Sequence, residues 1–509
     1  MRIGVILPVV FLIFFFGSCR KDFDTIPSQG NLEFSKDTVL LNRVFDDISS
    51  STQSFKVYNR SNDDITIPRI ALGRGAGSFY RLNVDGIPGK SFDNIDILAK
   101  DSIYVFVEAT VDFNQLDGAD FFYRDSVVFY SDTREQDVKL EALVMDVKLI
   151  RPDREEQADG SFVYEEIELA KDAEGQPISV RGSLLPGNTT FTGEKPYLIY
   201  GYLGVPEGAT LTIEAGSTLY FHNSSGIIVQ KNATLNVNGE QEHQVLFEDD
   251  RLEPDFEDVA GQWGTIWLRA GSKNNTINYA TIKNSIIGIL ADSISGSTPT
   301  LTLTNSQIYN TSNYGLMARE SNIKGNNLVI GNNGMSSLAC TMGGIYNFAH
   351  CTFANYRVNS IGAPALWINN IYKYIDESGT VNILPFDLLE AKFTNCIIEG
   401  NDRVELSLEM TDEALFNFDF KNCMLRFESD STNPLYDFMD ETKYQQLVLN
   451  GNPDFKDFTT NQYVIGQDSD AIDKADASAA LLVPFDILGI SRTAAPDIGA
   501  YQHIIFEDE

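Results

Sequence analysis

The chain has 509 residues and a formal net charge of −34, from 72 Asp and Glu against 38 Lys and Arg. A surface this acidic repels nucleic acid and anionic lipid headgroups, and also polyuronates or sulfated glycans unless a cation intervenes, so a neutral or cationic partner is expected. The length exceeds one ordinary core, and frequent Gly, Asn and Thr without a 3.6-residue period leave an all-β fold of two or more domains.

Arg2, the apolar run Ile3 to Phe16 and then Gly17-Ser18-Cys19 read as a basic n-region, an h-region and small residues before a cysteine. The run is too short to span a membrane comfortably. FFFGSC resembles a bacterial lipobox, which implies a lipoprotein signal peptide at 1–18 and Cys19 as the acylated first residue of the mature chain. Lys21-Asp22 resembles the charged export tag of Bacteroidetes surface lipoproteins, which implies an outer-membrane protein facing outward. The membrane is then met through the lipid anchor only, each buried methylene contributing about 0.8 kcal/mol. Residues 19–30 follow as a polar tether.

From 31 to 146, SFKVYN, DITIPRIAL, DSIYVFVEATV, RDSVVFYSD and QDVKLEALVM alternate apolar and polar residues between Asn, Asp and Gly turns, which predicts a β-sandwich. VYNRSNDDITI followed by KDSIYVFVEA resembles the immunoglobulin-type domains of the Hydin and major-sperm-protein kind. Residues 147–196 read as linker and solenoid entry, with RPDREEQADG as an exposed turn.

Residues 197–430 carry a repeat: an apolar residue, a spacer, a polar anchor, a small or apolar residue, then alternation ending in Asn. It is read in LTNSQIYN, GNNLVIGN, FAHCTFAN, FTNCIIEGN and FKNCMLRF. The anchors Tyr279, Asn305, Asn327, His350, Asn395 and Asn422 are separated by 26, 22, 23, 45 and 27 residues, so four gaps fit one turn of a solenoid and 45 fits two. This period with β-branched and aromatic alternation predicts a parallel β-helix, with stacked anchors bonding along the axis at bends that need αL geometry. GQWGTIWLRAGSKNNTINYATIKNSIIGI and TMGGIYNFAHCTFANY resemble right-handed parallel β-helix lipoproteins of Bacteroidetes. Residues 431–509 are expected to be a C-terminal coil and cap, because Asp497 to Tyr501 resembles a phrase that closes many bacterial β-helices.

Cys351, Cys396 and Cys423 follow their anchors at one position of the repeat and are expected inward, with a Cys396–Cys423 disulfide left open. A lyase needs a base and cations facing an acidic substrate, and the solenoid's basic residues are too scattered to supply them. A hydrolase needs two carboxylates across a cleft, for which Glu248, Asp249 and Asp250 are the candidates. Asp250, Asp255 and Asp258 could instead hold calcium, the one cofactor the sequence allows for. Trp263 and Trp267, four apart, would share a face on a strand and could form a sugar platform with Tyr309, Tyr314, Tyr346 and Trp367. Asp-Ser/Thr steps at Thr25, Thr38, Ser102, Ser126, Ser293 and Ser431 resemble the Bacteroidetes O-glycosylation sequon. The combined expectation is a non-enzymatic surface lipoprotein whose β-helix binds a glycan or surface protein. A β-helix polysaccharide-degrading enzyme, and an adhesin or spacer, are the alternatives.

Overall fold

The computed structural model describes residues 24–116, 121–292, 298–357, 362–376 and 378–507. The signal segment 1–18, Cys19 and Ser293 lie outside the described residues. The chain divides into two compact units at Asp146/Val147.

The first unit stacks two sheets. Thr38–Phe45, Ile65–Leu72, Ser91–Ile97, Phe122–Tyr130 and Gln136–Met145 make one, edged by Ile26–Pro27. Glu33–Phe34, Gln53–Tyr58, Tyr80–Val84, Ile87–Gly89 and Ser102–Ala109 make the other. Strand alternation sorts their side chains: Ile103, Val105, Val107 and Ala109 enter the shared core while Tyr104 and Phe106 stay exposed. The sequon residues Thr38 and Ser102 open strands, and Ser126 lies mid-strand opposite Lys139, half-buried.

The second unit is a parallel β-helix with three strands per turn. Sheet A contains Thr234–Asn238 and Asn275–Asn278, sheet B contains Val245–Asp249 and Ala280–Lys283, and sheet C contains Gly226–Val229, Ile266–Leu268 and Ile289–Asp292, each followed by its counterparts in later coils. The inner residues form one continuous core, from Phe191 through Phe247, Ile308 and Phe393 to Phe420. Each fully buried side chain there contributes about 1.5–3 kcal/mol. The expected linker is already part of this unit, since Lys148–Ile150 pairs in parallel with Tyr197–Ile199.

All six anchors adopt positive φ, from 45° at Tyr279 to 57° at Asn395, at the bend between sheets A and B. A non-glycine residue there costs about 1–2 kcal/mol, which Asn offsets through its short polar side chain. Asn327 donates to Asn305 at 2.8 Å, Asn305 to Asn278 at 2.9 Å, and Asn422 to Gln446 at 3.1 Å. Asn395 bonds the His350 imidazole at 2.9 Å, and burial lowers that ring's pKa to about 3, so it stays neutral. A second row of bends, between sheets B and C, places Asn284, Asn310 and Asn332 at φ 65°, 55° and 56°.

Two expectations change. The 45-residue gap is one turn, because Phe348 pairs with Phe393; the surplus is taken up by an antiparallel hairpin, Ile371–Ile375 with Val381–Pro385. The Asp497–Tyr501 phrase lies against the side of the solenoid: Gly499 donates to the Asn395 carbonyl at 2.8 Å and Ala500 to Thr352 Oγ1 at 3.1 Å. Coiling ends with Tyr444–Gln445 and Val448–Leu449, after which 455–507 runs back over sheet B. The outward residues Val329, Ala354, Ile397 and Met424 require cover, which Tyr463, Ile465, Ile487 and Ile498 provide.

Candidate functional site

The acidic group is built on the strand Val245–Asp249, and each of its carboxylates has a partner of its own. Glu248 pairs with Lys283 at 2.9 Å in the neighbouring coil. Asp249 accepts from Asn284 at 2.9 Å, and burial pushes its carboxyl up to about 6. Asp250 meets His222 Nδ1 at 2.7 Å. Asp255 and Asp258 are exposed in the following loop, and Asp258 accepts from Asn310 at 2.8 Å. Among the described residues, the group of three whose ligand atoms lie within 4.8 Å of one another is Asp46, Asp47 and Asp112, in the sandwich. The sequence-derived calcium set Asp250, Asp255 and Asp258 is thus not gathered.

The aromatic candidates separate. Trp263 precedes the strand Ile266–Leu268, so the four-residue rule for one strand face does not reach it. It is fully buried, stacks on Phe221 at 4.4 Å and donates to the Lys283 carbonyl at 2.8 Å. Tyr346 is also core, and Tyr309 is covered by the returning segment, stacked on Tyr463 at 6.1 Å. Trp267, Tyr314 and Trp367 remain half-exposed, with Tyr314 stacked on Trp367 at 6.5 Å.

Register explains what the two tryptophans share. The outward column of sheet C runs Trp267, Leu290, Met317, Ala339 and Trp367, each opposite the next. Four coil steps of roughly 4.8 Å make an apolar column about 19 Å long, half-exposed except at Ala339, which is buried. Polar groups hold its flank: Trp267 Nε1 donates to Asp292 at 2.7 Å, and Arg319 forks onto the same carboxylate at 2.6 and 2.7 Å. Arg269 donates to Gln230 at 2.6 Å and to the Leu169 carbonyl, with its guanidinium 5.4 Å from the Trp267 ring. Flat apolar surface beside fixed donors and acceptors is the composition of a site for an amphipathic ligand.

Leu290, Met317, Asp292 and Arg319 were absent from the sequence-derived site. Their signal is a repeated triplet, Ile266-Trp267-Leu268, Ile289-Leu290-Ala291, Leu316-Met317-Ala318 and Leu366-Trp367-Ile368, whose middle residue faces out. Cys396 and Cys423 are buried free thiols, the Cys396 amide donating to Cys423 Sγ at 3.4 Å.

The model of a pectate-lyase-like β-helix domain matches residues 182–293, which carry the first sheet C strands and the acidic group. No curated protein matches the sequence. Among solved structures, a family 123 glycoside hydrolase from Clostridium perfringens, studied for glycolipid glycan hydrolysis, is similar at 7% identity and a TM-score of 0.17. That match covers 23% of this chain and 27% of the hydrolase. A Porphyromonas gingivalis W83 protein of unknown function is similar at 13% identity and a TM-score of 0.18, over 25% of this chain and 56% of the other.

Proposed function

We propose that sheet C is a non-catalytic binding face for an extended neutral glycan, on a lipoprotein held in the outer membrane by acyl chains on Cys19. The observation that carries this reading is the outward column of sheet C, half-exposed at Trp267, Leu290, Met317 and Trp367, buried at Ala339, and buttressed by Asp292 and Arg319. Sugar rings present apolar C–H faces and hydroxyl edges, which match aromatic rings beside fixed polar groups. The carboxylates suited to hydrolysis are instead engaged with Lys283, Asn284 and His222. The pectate-lyase-like family model fits a carbohydrate-related role, and the charge of −34 favours neutral polymers over uronates.

The test uses the full chain in detergent against neutral and acidic polysaccharides, with calcium and with chelator, scoring retention and new reducing ends. Retention by a neutral polymer without cleavage is expected. It should weaken about tenfold or more in Trp267→Ala and Trp367→Ala, as loss of a buried aromatic contact does. Cleavage that disappears in Glu248→Gln or Asp250→Asn would replace this reading with the enzyme, and retention of none of the polymers would leave the adhesin or spacer.

A further inference from the structure

A cavity of about 360 Å³ lies along the second row of asparagine bends, where the returning segment meets the solenoid. It is lined by the carboxamides of Asn310, Asn332 and Asn401, the charges of Asp258 and Arg357, and the ring of Tyr356. Asn310, Asn332, Tyr356 and Asn401 come from four successive coils, each just beyond its sheet B strand, so their backbones are spaced at roughly the 4.8 Å coil step. Tyr356 is stacked on Phe458 of the returning segment at 4.3 Å, which fixes it as a flat wall. The volume falls within the range of small-molecule sites, about 300–1,000 Å³.

Three features define what would fit. Asp258 accepts from Asn310 at 2.8 Å and Arg357 donates to the Thr311 carbonyl at 2.6 Å, so both charges are oriented and their sum is zero. An anion or a cation would therefore meet one partner and one repulsion. Asn332 is 9% exposed, and its Nδ2 donates to the Phe458 carbonyl at 3.0 Å and to Asn461 at 2.7 Å. Carboxamides donate and accept, as hydroxyls do, and the Tyr356 ring offers area to an apolar C–H face.

The geometry points to a second binding site, for a single neutral sugar unit, between the asparagine bends and the returning segment. It shares none of its lining residues with sheet C and does not rest on the glycan reading of that face. Isothermal titration of the full chain with neutral hexoses, N-acetylhexosamines, uronic acids and free amino acids tests it. A neutral sugar should bind saturably at millimolar concentration. Asn401→Ala, at an exposed residue, and Arg357→Met should each weaken it about tenfold or more, the usual effect of losing a hydrogen bond to a polar or charged group. Trp367→Ala should leave this affinity unchanged, which separates the cavity from the stripe. Preference for free amino acids or uronic acids would overturn the proposal. So would no saturable heat from any neutral sugar, or wild-type affinity in both cavity variants once thermal unfolding confirms that they fold.

Discussion

Removal of one arginine should release the C-terminal segment while leaving the solenoid folded. Arg492 is fully buried, and its guanidinium ties the segment to itself and to the solenoid: Nη1 donates across to Asn327 Oδ1 at 2.5 Å, while within the segment Nη1 donates to the Phe485 carbonyl at 2.8 Å and Nη2 to the Gly499 carbonyl at 3.0 Å. Hydrogen bonds to a charged group are worth about 1.5–3 kcal/mol each, so the three together supply roughly 5–9 kcal/mol. Against this stands the cost of burying the charge. Burial lowers the arginine pKa from 12.5 to about 10, which corresponds to about 3 kcal/mol. The difference leaves roughly 2–6 kcal/mol that Arg492→Ala should remove from the folded and docked segment together, of which the Asn327 bond, about 1.5–3 kcal/mol, is the part that crosses to the solenoid. Hydrogen exchange of the intact chain reads this directly: amides of 455–507 should exchange at least tenfold faster, with those in the core strands around Ile308 and Phe393 unchanged. Unchanged protection of 455–507 would refute the latch. Equal loss of protection across the solenoid would show that segment and coils unfold as one unit.

Two further outcomes follow from buried groups. Glu399 is 1% exposed, both its oxygens lack a hydrogen-bond partner, and burial raises its pKa from 4.5 to about 7 although Arg426 opposes the shift. Between pH 4.5 and 7 the folded state keeps a proton that the unfolded chain has released, so this group lowers stability as pH rises and imposes its full cost above 7. Glu399→Gln should stabilise the chain by about 1–3 kcal/mol at pH 8 and by nothing near pH 4, read from denaturant titrations; equal effects at both pH values would contradict the assignment. Cys340, Cys396 and Cys423 are buried thiols whose pKa burial pushes well above 9, so a thiol reagent should label them only after unfolding; rapid native labelling would contradict their burial.

The bends were legible because αL geometry restricts residue choice: Asn305, Asn327, Asn395 and Asn422 had to be something like asparagine, and they recur. Sheet C was half legible. Trp267 and Trp367 stand out by type, but Leu290 and Met317 join them only through strand register across coils of unequal length. Trp263 misled because spacing along the sequence says nothing about where a strand starts, and here Ile266 opens it. His350 to Asn395 misled because a whole-number multiple of the period and one turn carrying a hairpin look alike in spacing. The returning segment was not legible at all. Tyr463, Ile465, Ile487 and Ile498 have no common period, and their partners lie from dozens to well over a hundred residues away.

That segment also bears on how the molecule is completed. Coils pair with neighbours a few dozen residues behind, so their contacts close shorter loops than those of the returning segment. The segment instead spans 247 residues from Gln241 to Leu488, 165 from Asn327 to Arg492 and 148 from Thr352 to Ala500. Assembly should therefore be biphasic, with stacking of the coils first and sealing of one flank after it. In the interval Val329, Ala354, Ile397 and Met424 form a bare apolar strip, open to any neighbouring chain. A premature stop or a protease cut before 455 would leave that strip bare for good, so a lesion at the tail would be felt in the middle of the solenoid as loss of solubility.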